Sequence, residues 1–343
     1  MKMSKYGSIE QFRNIVKAVK DSTYYNGKDD EGNVLFDYTR KLPTITFTGF
    51  VKLHGTNAGI GFDGENYWAQ ARERIISLTE DNAGFYVYAK KQESHIKELL
   101  RQIKEETGYD EVLVYGEWCG AGIQKGVGIS QLEKRLVVFD VCGVNIDENG
   151  ESSKVYLDQF IDRFESPDHD LYNKKMFKTF SIDIDFANPE LAVNKLVEMT
   201  ISVEDECPVA KYFGIDDGLG EGIVFETHVN GAKLRFKSKG EKHSVSKVKT
   251  IVQVNPEVVE SIVAFVEYAA TENRLEQGLT YMKENNIEIK VENLSHYIKW
   301  VSSDIMKEES DVLVANNLTY KQVGGKIATK AREHLFEYVN KNL

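Results

Sequence analysis

The chain has 343 residues, 41% hydrophobic and 28% charged, which is a globular composition long enough for two domains. A net charge of −11 argues against a protein that coats nucleic acid, because such domains are usually basic. No apolar run is long enough for a transmembrane helix, and the start MKMSKYGSIEQFR has no signal-peptide core, so a cytoplasmic protein is expected. Cys119, Cys142 and Cys207 form no CxxC pair, so neither a zinc cage nor a disulfide framework is indicated.

Ser8 with Gln11 reads as a capping box that opens a helix over Ile9 to Lys20. Residues 21–43 are polar and rich in Gly, Asn and Asp, and read as loop. TITFTGFVKLH from Thr44 alternates like a strand, and Ala58 to Phe62 is a second strand expected to pair back on it. YWAQA is a third. Residues 90–106 have helical spacing, with Ile96, Leu99, Leu100 and Ile103 on one face. EVLVYGEW, RLVVFDVCGV and FSIDIDF are further strands, and Pro189 to Met199 reads as a helix. EGIVFETHV and AKLRFKSK form a hairpin across Asn230-Gly231. Beyond about residue 250 the period becomes helical. Asn255 caps and Pro256 starts one helix, residues 275–285 and 294–307 give two more, and Thr319 with Gln322 caps a last one. The fold class is therefore α+β: a largely antiparallel domain over 1–249 and an all-helical domain over 250–343.

The negative average hides an asymmetry. Residues 231–250 carry seven Lys or Arg against Glu241 alone. Such a stripe on an acidic body suggests a focused anion site. Period two puts Lys233, Arg235, Lys237 and Lys239 on one strand face. These cations repel one another unless a carboxylate, such as Glu221 on the partner strand, or a triphosphate with Mg²⁺ answers them. Lys52 and His54, in KLHGTN, project together from a strand end, and Gly55 lets the backbone turn close to a ligand. A nucleophilic lysine needs neighbouring cations or a metal to lower its pKa by a few units, worth about 4 kcal/mol, and the basic strand supplies such cations. QARER offers Arg72 and Arg74 as phosphate ligands or as surface ion-pair partners. Glu117, in YGEWCG, is either a ligand for a ribose hydroxyl or a satisfied structural carboxylate. Phe139, beside Asp140, either stacks on a base or belongs to the core.

The order KxHG, arginine, GE, FD, EGxV, KxK resembles the motif series of the covalent nucleotidyltransferases, which comprise polynucleotide ligases and capping enzymes. The histidine of KxHG makes it similar to the RNA ligase 2 family, that of the phage T4 double-strand RNA ligase. KYGSIEQF is similar to the start of the phage enzymes, which would place a phage-encoded chain in the host cytoplasm. The motifs cover about residues 50–240.

The resemblance implies an ATP-dependent RNA ligase with the ATP-grasp-like catalytic fold of such ligases. Its cofactors would be ATP and Mg²⁺, with Mn²⁺ as a substitute, and its partner RNA with 3′-hydroxyl and 5′-phosphate ends. It implies that Lys52 becomes adenylylated and that His54 and Asn57 contact phosphates. Arg72, preferred to Arg74 by spacing, would contact the nick or AMP phosphate. Glu117 would bind the ribose, Phe139 would stack on adenine, and Asp140 would assist at the nick or its metal. Glu221 would serve the divalent metal, and Lys237 and Lys239 the ATP phosphates. The helical tail would grip RNA. The competing readings are an ATP-dependent DNA ligase, a capping-type enzyme and a non-catalytic RNA-binding relative. The first two normally carry a β-barrel domain where this chain turns helical.

Overall fold

The computed structural model describes residues 3–37, 39–240 and 258–342. The chain forms two compact units divided after Gly240. The boundary expected at 249/250, the cap at Asn255, the start at Pro256, and Lys242, Lys247 and Lys249 lie outside the described residues.

The first unit opens with β1 (Glu10–Gln11) and α1 (Phe12–Tyr24). The helix start expected at Ile9 is thereby corrected. Glu10 and Gln11 are extended because they pair in parallel with Phe236 and Lys237. Gln11, not Ser8, occupies the N-cap position. The stretch read as loop also needs correction, because it holds a hairpin of β2 (Tyr25–Lys28) and β3 (Val34–Phe36). The Asp29 carboxylate closes that turn by accepting the backbone N–H groups of Glu31 and Asn33.

β4 (Thr44–Lys52) exposes Thr44, Thr46 and Thr48 and buries Phe47, the alternation of a sheet wetted on one face. β5 (Thr56–Phe62) does not pair back on β4 as expected. It enters a second sheet between β6 (Tyr67–Ala71) and β7 (Glu111–Cys119). Its nearly continuous burial reports that both faces of the strand are covered, which does not select the strand that pairs along its edge. Between β6 and β7 lie α2 (Phe85–Lys91) and α3 (Glu93–Thr107), separated at Gln92. α3 buries Ile96, Leu100 and Ile103, as its spacing predicts. β8 (Arg135–Ile146) follows. Then come β9 (Ser152–Tyr156) and β10 (Leu171–Asn173), two short strands without a sequence signature. β11 (Thr179–Asp185) leads through a 3₁₀ turn at Pro189–Ala192 into α4 (Val193–Asp205), which outlasts its expected end at Met199. α5 (Pro208–Tyr212) precedes the hairpin of β12 (Gly222–Val229) and β13 (Ala232–Lys239). Asn230 and Gly231 both take positive φ there, the turn the dipeptide predicts.

The strand order is β1-β13-β12-β4-β11 in one sheet and β10-β8-β7-β5-β6 in the other, where β9 pairs with β8. Only β1–β13 and β10–β8 pair in parallel among these strands. α1 and α4 cover the first sheet over Ile15, Val19, Leu196, Phe225 and Phe236. α2 and α3 cover the second over Phe85, Ile96, Leu100 and Val114. The second unit comprises α6 (Val258–Ala269), α7 (Glu272–Glu284), α8 (Leu294–Ala315) and α9 (Tyr320–Lys341). Leu279, Met282, Tyr297, Ile305, Ile327 and Leu335 form its core. The Thr319 N–H donates to the Gln322 side chain at 2.8 Å, in the capping box that the sequence predicts. The architecture is α+β with antiparallel sheets followed by a helical unit, as expected. Among the described residues, no helix is long and apolar enough to cross a membrane.

Candidate active site

β4 ends at Lys52, and the chain leaves the sheet through His54 and Gly55 to start β5. A side chain at position 55 would force the turn to shift, because its Cβ would meet the Trp118 carbonyl oxygen at 2.3 Å. The close approach lets the Gly55 N–H donate to Glu117 Oε1 at 2.9 Å. The motif loop is therefore clamped directly to β7.

Glu221 is the electrostatic centre. Its side chain is 2% exposed, and both oxygens are taken. Oε2 lies 2.8 Å from Lys52 Nζ and 3.3 Å from His54 Nδ1, and Oε1 lies 2.9 Å from Lys239 Nζ. Burial alone would raise its pKa, but Lys239, Lys52 and His54 outweigh burial and hold the carboxyl well below the usual range. Burial pushes the Lys52 ammonium down, yet Glu221 and Glu117 overcome it and leave the pKa above the ordinary lysine value. This corrects the expectation that the basic strand depresses Lys52. Arg72 acts in the expected direction but is the smaller influence. The depressed lysine is Lys239, lowered by burial and by the charges of Lys52 and Lys237, with Glu221 compensating in part.

Lys52 opens onto a pocket whose walls include Tyr6, Phe50, Glu117, Val137, Phe139 and Lys174. Phe139 reaches it through a β-bulge. Tyr115 pairs with Asp140 and Gly116 with Val138, so Phe139 is the extra residue. Its ring packs on Tyr6 at a centroid distance of 4.9 Å. Tyr6, Lys174 and Glu226 belong to this region and were not singled out by sequence reasoning. Tyr6 lies in the KYGSIEQF stretch, whereas Lys174 and Glu226 carry no motif signal.

Asp140 turns away into an ion network that joins the two sheets. It is 1% exposed and lies 2.6 Å from Lys233, 2.8 Å from Arg235 and 3.6 Å from Lys174. The Tyr6 hydroxyl donates to it at 2.5 Å. Lys174 also meets Glu226 at 2.5 Å, and Lys233 meets Asp158 at 3.0 Å. Burial would raise the Asp140 pKa, but the three cations hold it below the ordinary value. The four cations of β13 therefore divide. Lys233 and Arg235 are spent between the sheets, while Lys239 meets Glu221 and Lys237 lies half-buried near Lys239.

Arg74 donates to the carbonyls of Glu80 and Asp81 at 2.6 and 3.5 Å, which organises its own loop. Arg72 is about half exposed, with Glu73 3.8 Å away, and its charge reaches Lys52. Asn57 is half-buried on β5, opposite Glu117. For a hard divalent ion, the carboxylates beside Lys52 are Glu221 and Glu117. One or two carboxylates completed by phosphate oxygens and water are how Mg²⁺ is commonly held, so the residues fit such an ion.

The RNA ligase family model matches residues 45–239. No curated protein matches the chain. Among solved structures it is similar to mutants of a Naegleria gruberi RNA ligase. One with ATP and Mn gives a TM-score of 0.44 at 14% identity, covering 70% of this chain and 57% of that one. Another with AMP and Mn gives 0.43 at 14%, covering 70% and 56%. The chain thus spans little more than half the length of these structures. The family match runs from the second residue of β4 to the last of β13 and spans more than half of the chain; the protein belongs to the RNA ligase family.

Proposed function

We propose that the protein is an ATP-dependent RNA ligase of the RNA ligase 2 type. It would join 3′-hydroxyl to 5′-phosphate ends, in nicked duplex RNA, through a lysyl-AMP intermediate on Lys52. The observation that carries this reading is the Lys52 amine held 2.8 Å from Glu221 at a pocket shared with Glu117 and Phe139. A covalent nucleotidyltransferase needs that set: an amine, a carboxylate to position it, a hydroxyl acceptor and a stacking ring.

In this reading Phe139 stacks on adenine and Glu117 accepts from the ribose while it holds Gly55. His54, Asn57, Lys237 and Lys239 bind phosphates, and Arg72 binds the AMP or nick phosphate. Lys52 attacks the α-phosphorus. A nitrogen–phosphorus bond forms, the bond to pyrophosphate breaks, and the amine proton is released. Glu221 would hold a Mg²⁺ or Mn²⁺ ion, which would supply positive charge favouring pyrophosphate departure and a neutral amine. AMP then passes to the 5′-phosphate, and attack by the 3′-hydroxyl releases it and makes the phosphodiester. Asp140 serves this site through the ion network. The helical unit takes the grip on RNA ends or duplex.

The test is incubation of pyrophosphate-stripped protein with Mg²⁺ and α-labelled ATP, followed by peptide mapping and sealing assays on nicked RNA and DNA duplexes. One AMP on Lys52 and preferential sealing of RNA are expected, with the adduct lost in Lys52→Ala. Label retained on Lys52→Ala, or a GMP adduct made in preference from GTP, overturns the reading.

A further inference from the structure

The second unit carries a cluster of metal-ligating groups that is remote from the Lys52 site in sequence. Glu272 and Glu276 stand one turn apart on α7, and His334 lies on α9. One ligand atom from each lies within 4.8 Å of the others. His334 Nε2 is 3.4 Å from Glu272 Oε1 and 3.4 Å from Glu276 Oε1.

The orientation of the imidazole carries the argument. Its side chain is only 9% exposed, whereas the two carboxylates are 76% and 56% exposed. The Tyr297 hydroxyl is 2.9 Å from the Leu275 carbonyl and donates to it. Having spent its proton there, the tyrosine oxygen accepts from His334 Nδ1, 2.7 Å away. In the neutral ring, the Nδ1–H tautomer leaves the Nε2 lone pair aimed at two anionic oxygens. A lone pair facing two carboxylates is repulsive, and two glutamates at i and i+4 repel each other as well. A cation between the three groups relieves both repulsions. A histidine whose second nitrogen is fixed by a hydrogen bond is the usual arrangement around a bound metal.

The geometry points to a divalent transition-ion site of the zinc class, formed by His334, Glu272 and Glu276. One imidazole nitrogen and two carboxylates suit Zn²⁺ or Co²⁺, whereas Mg²⁺ and Ca²⁺ take oxygen-only sets. Bonds of about 2.0–2.1 Å in a tetrahedron place neighbouring ligands about 3.3–3.5 Å apart, which matches both nitrogen–oxygen separations. The exposed glutamates close the remaining gap by rotation, and water fills the fourth position. The ion would fasten α7 to α9, with Tyr297 of α8 as the group that holds the ligand in place.

The test uses the full chain after chelator treatment. Zn²⁺ binding is measured by calorimetry and Co²⁺ binding by its visible absorption, in the wild type, in Glu272→Gln/Glu276→Gln and in Glu221→Gln. The first variant changes exposed side chains, so its helicity should be unaltered. Wild type and Glu221→Gln should each take one tight equivalent with a tetrahedral Co²⁺ spectrum. Glu272→Gln/Glu276→Gln should bind that equivalent at least tenfold more weakly and lose the spectrum. Equal binding by the wild type and the double variant overturns the site, and so does a wild type that takes up neither ion. Loss of adenylylation by any variant bears on the Lys52 reading alone.

Discussion

Lys52 and Lys239 share one carboxylate and are pushed in opposite directions by it and by burial. The proposed nucleophile is thus the more firmly protonated lysine of the two. Its reactivity depends on weakening the grip of Glu221, whose two oxygens hold both ammonium groups. Glu221→Gln removes the largest influence that raises the Lys52 pKa, so the midpoint for Lys52 deprotonation should fall. Competitive acylation of Lys52 against pH measures this directly, and an unchanged midpoint would refute the account. In the wild type, adenylylation should rise with pH by about tenfold per unit where this deprotonation limits it. Much of the pocket was legible in the sequence, because order and spacing select Lys52, His54, Glu117, Phe139 and Glu221. Lys174 and Glu226 were not. A buried ion pair between distant segments leaves no periodic trace, and a lysine that is 7% exposed reads like any other lysine in YNKKM.

At the level of elements, the KxHG turn and the β8–β13 contact each depend on one residue. Gly55→Ala would drive a methyl into the Trp118 carbonyl at 2.3 Å and separate the turn from Glu117. The fold should survive, since the shift is confined to a loop, while adenylylation drops by about tenfold or more, as a misplacement near 1 Å does. Wild-type adenylylation in this variant would sink the clamp. Asp140→Asn leaves Lys174, Lys233 and Arg235 without their shared anion in a buried place. Removing one partner of such a network costs about 3–5 kcal/mol, which a urea titration would detect and whose absence would count against the bridging role. These contacts also explain where sequence reasoning about elements fell short. The helix α1 was read from a capping signal, but its start was set by pairing of Glu10 and Gln11 with β13, more than two hundred residues later. The Ala58–Phe62 strand was recognised and its partner was not. Alternation reports which residues are buried, not which strand lies beside them.

Over the whole molecule, the two units hold charge in different ways. In the first, carboxylates with depressed pKa values are wedged among lysines and arginines: Glu221 in the pocket and Asp140 between the sheets. In the second, the fully buried Arg274 is met by Asp304 at 2.9 Å and Glu309 at 3.1 Å. For Glu221 and Asp140 the folded pKa lies below the unfolded one. Their contribution to stability is therefore complete above the ordinary values of 4.5 and 3.8, and it is lost as pH falls through the lower folded values. The first unit should accordingly lose thermal stability as pH falls from about 4.5 toward 3. The tryptophans allow this to be read separately. Trp68 and Trp118 lie buried in the first unit, and Trp300 packs against the core of the second. In Trp300→Phe, fluorescence reports the first unit alone. Its melting midpoint should fall over that interval, and Glu221→Gln should lessen the fall, because a neutral amide has no proton to gain. A midpoint that stays level between pH of about 4.5 and 3 would show that the depressed carboxylates do not govern the stability of that unit.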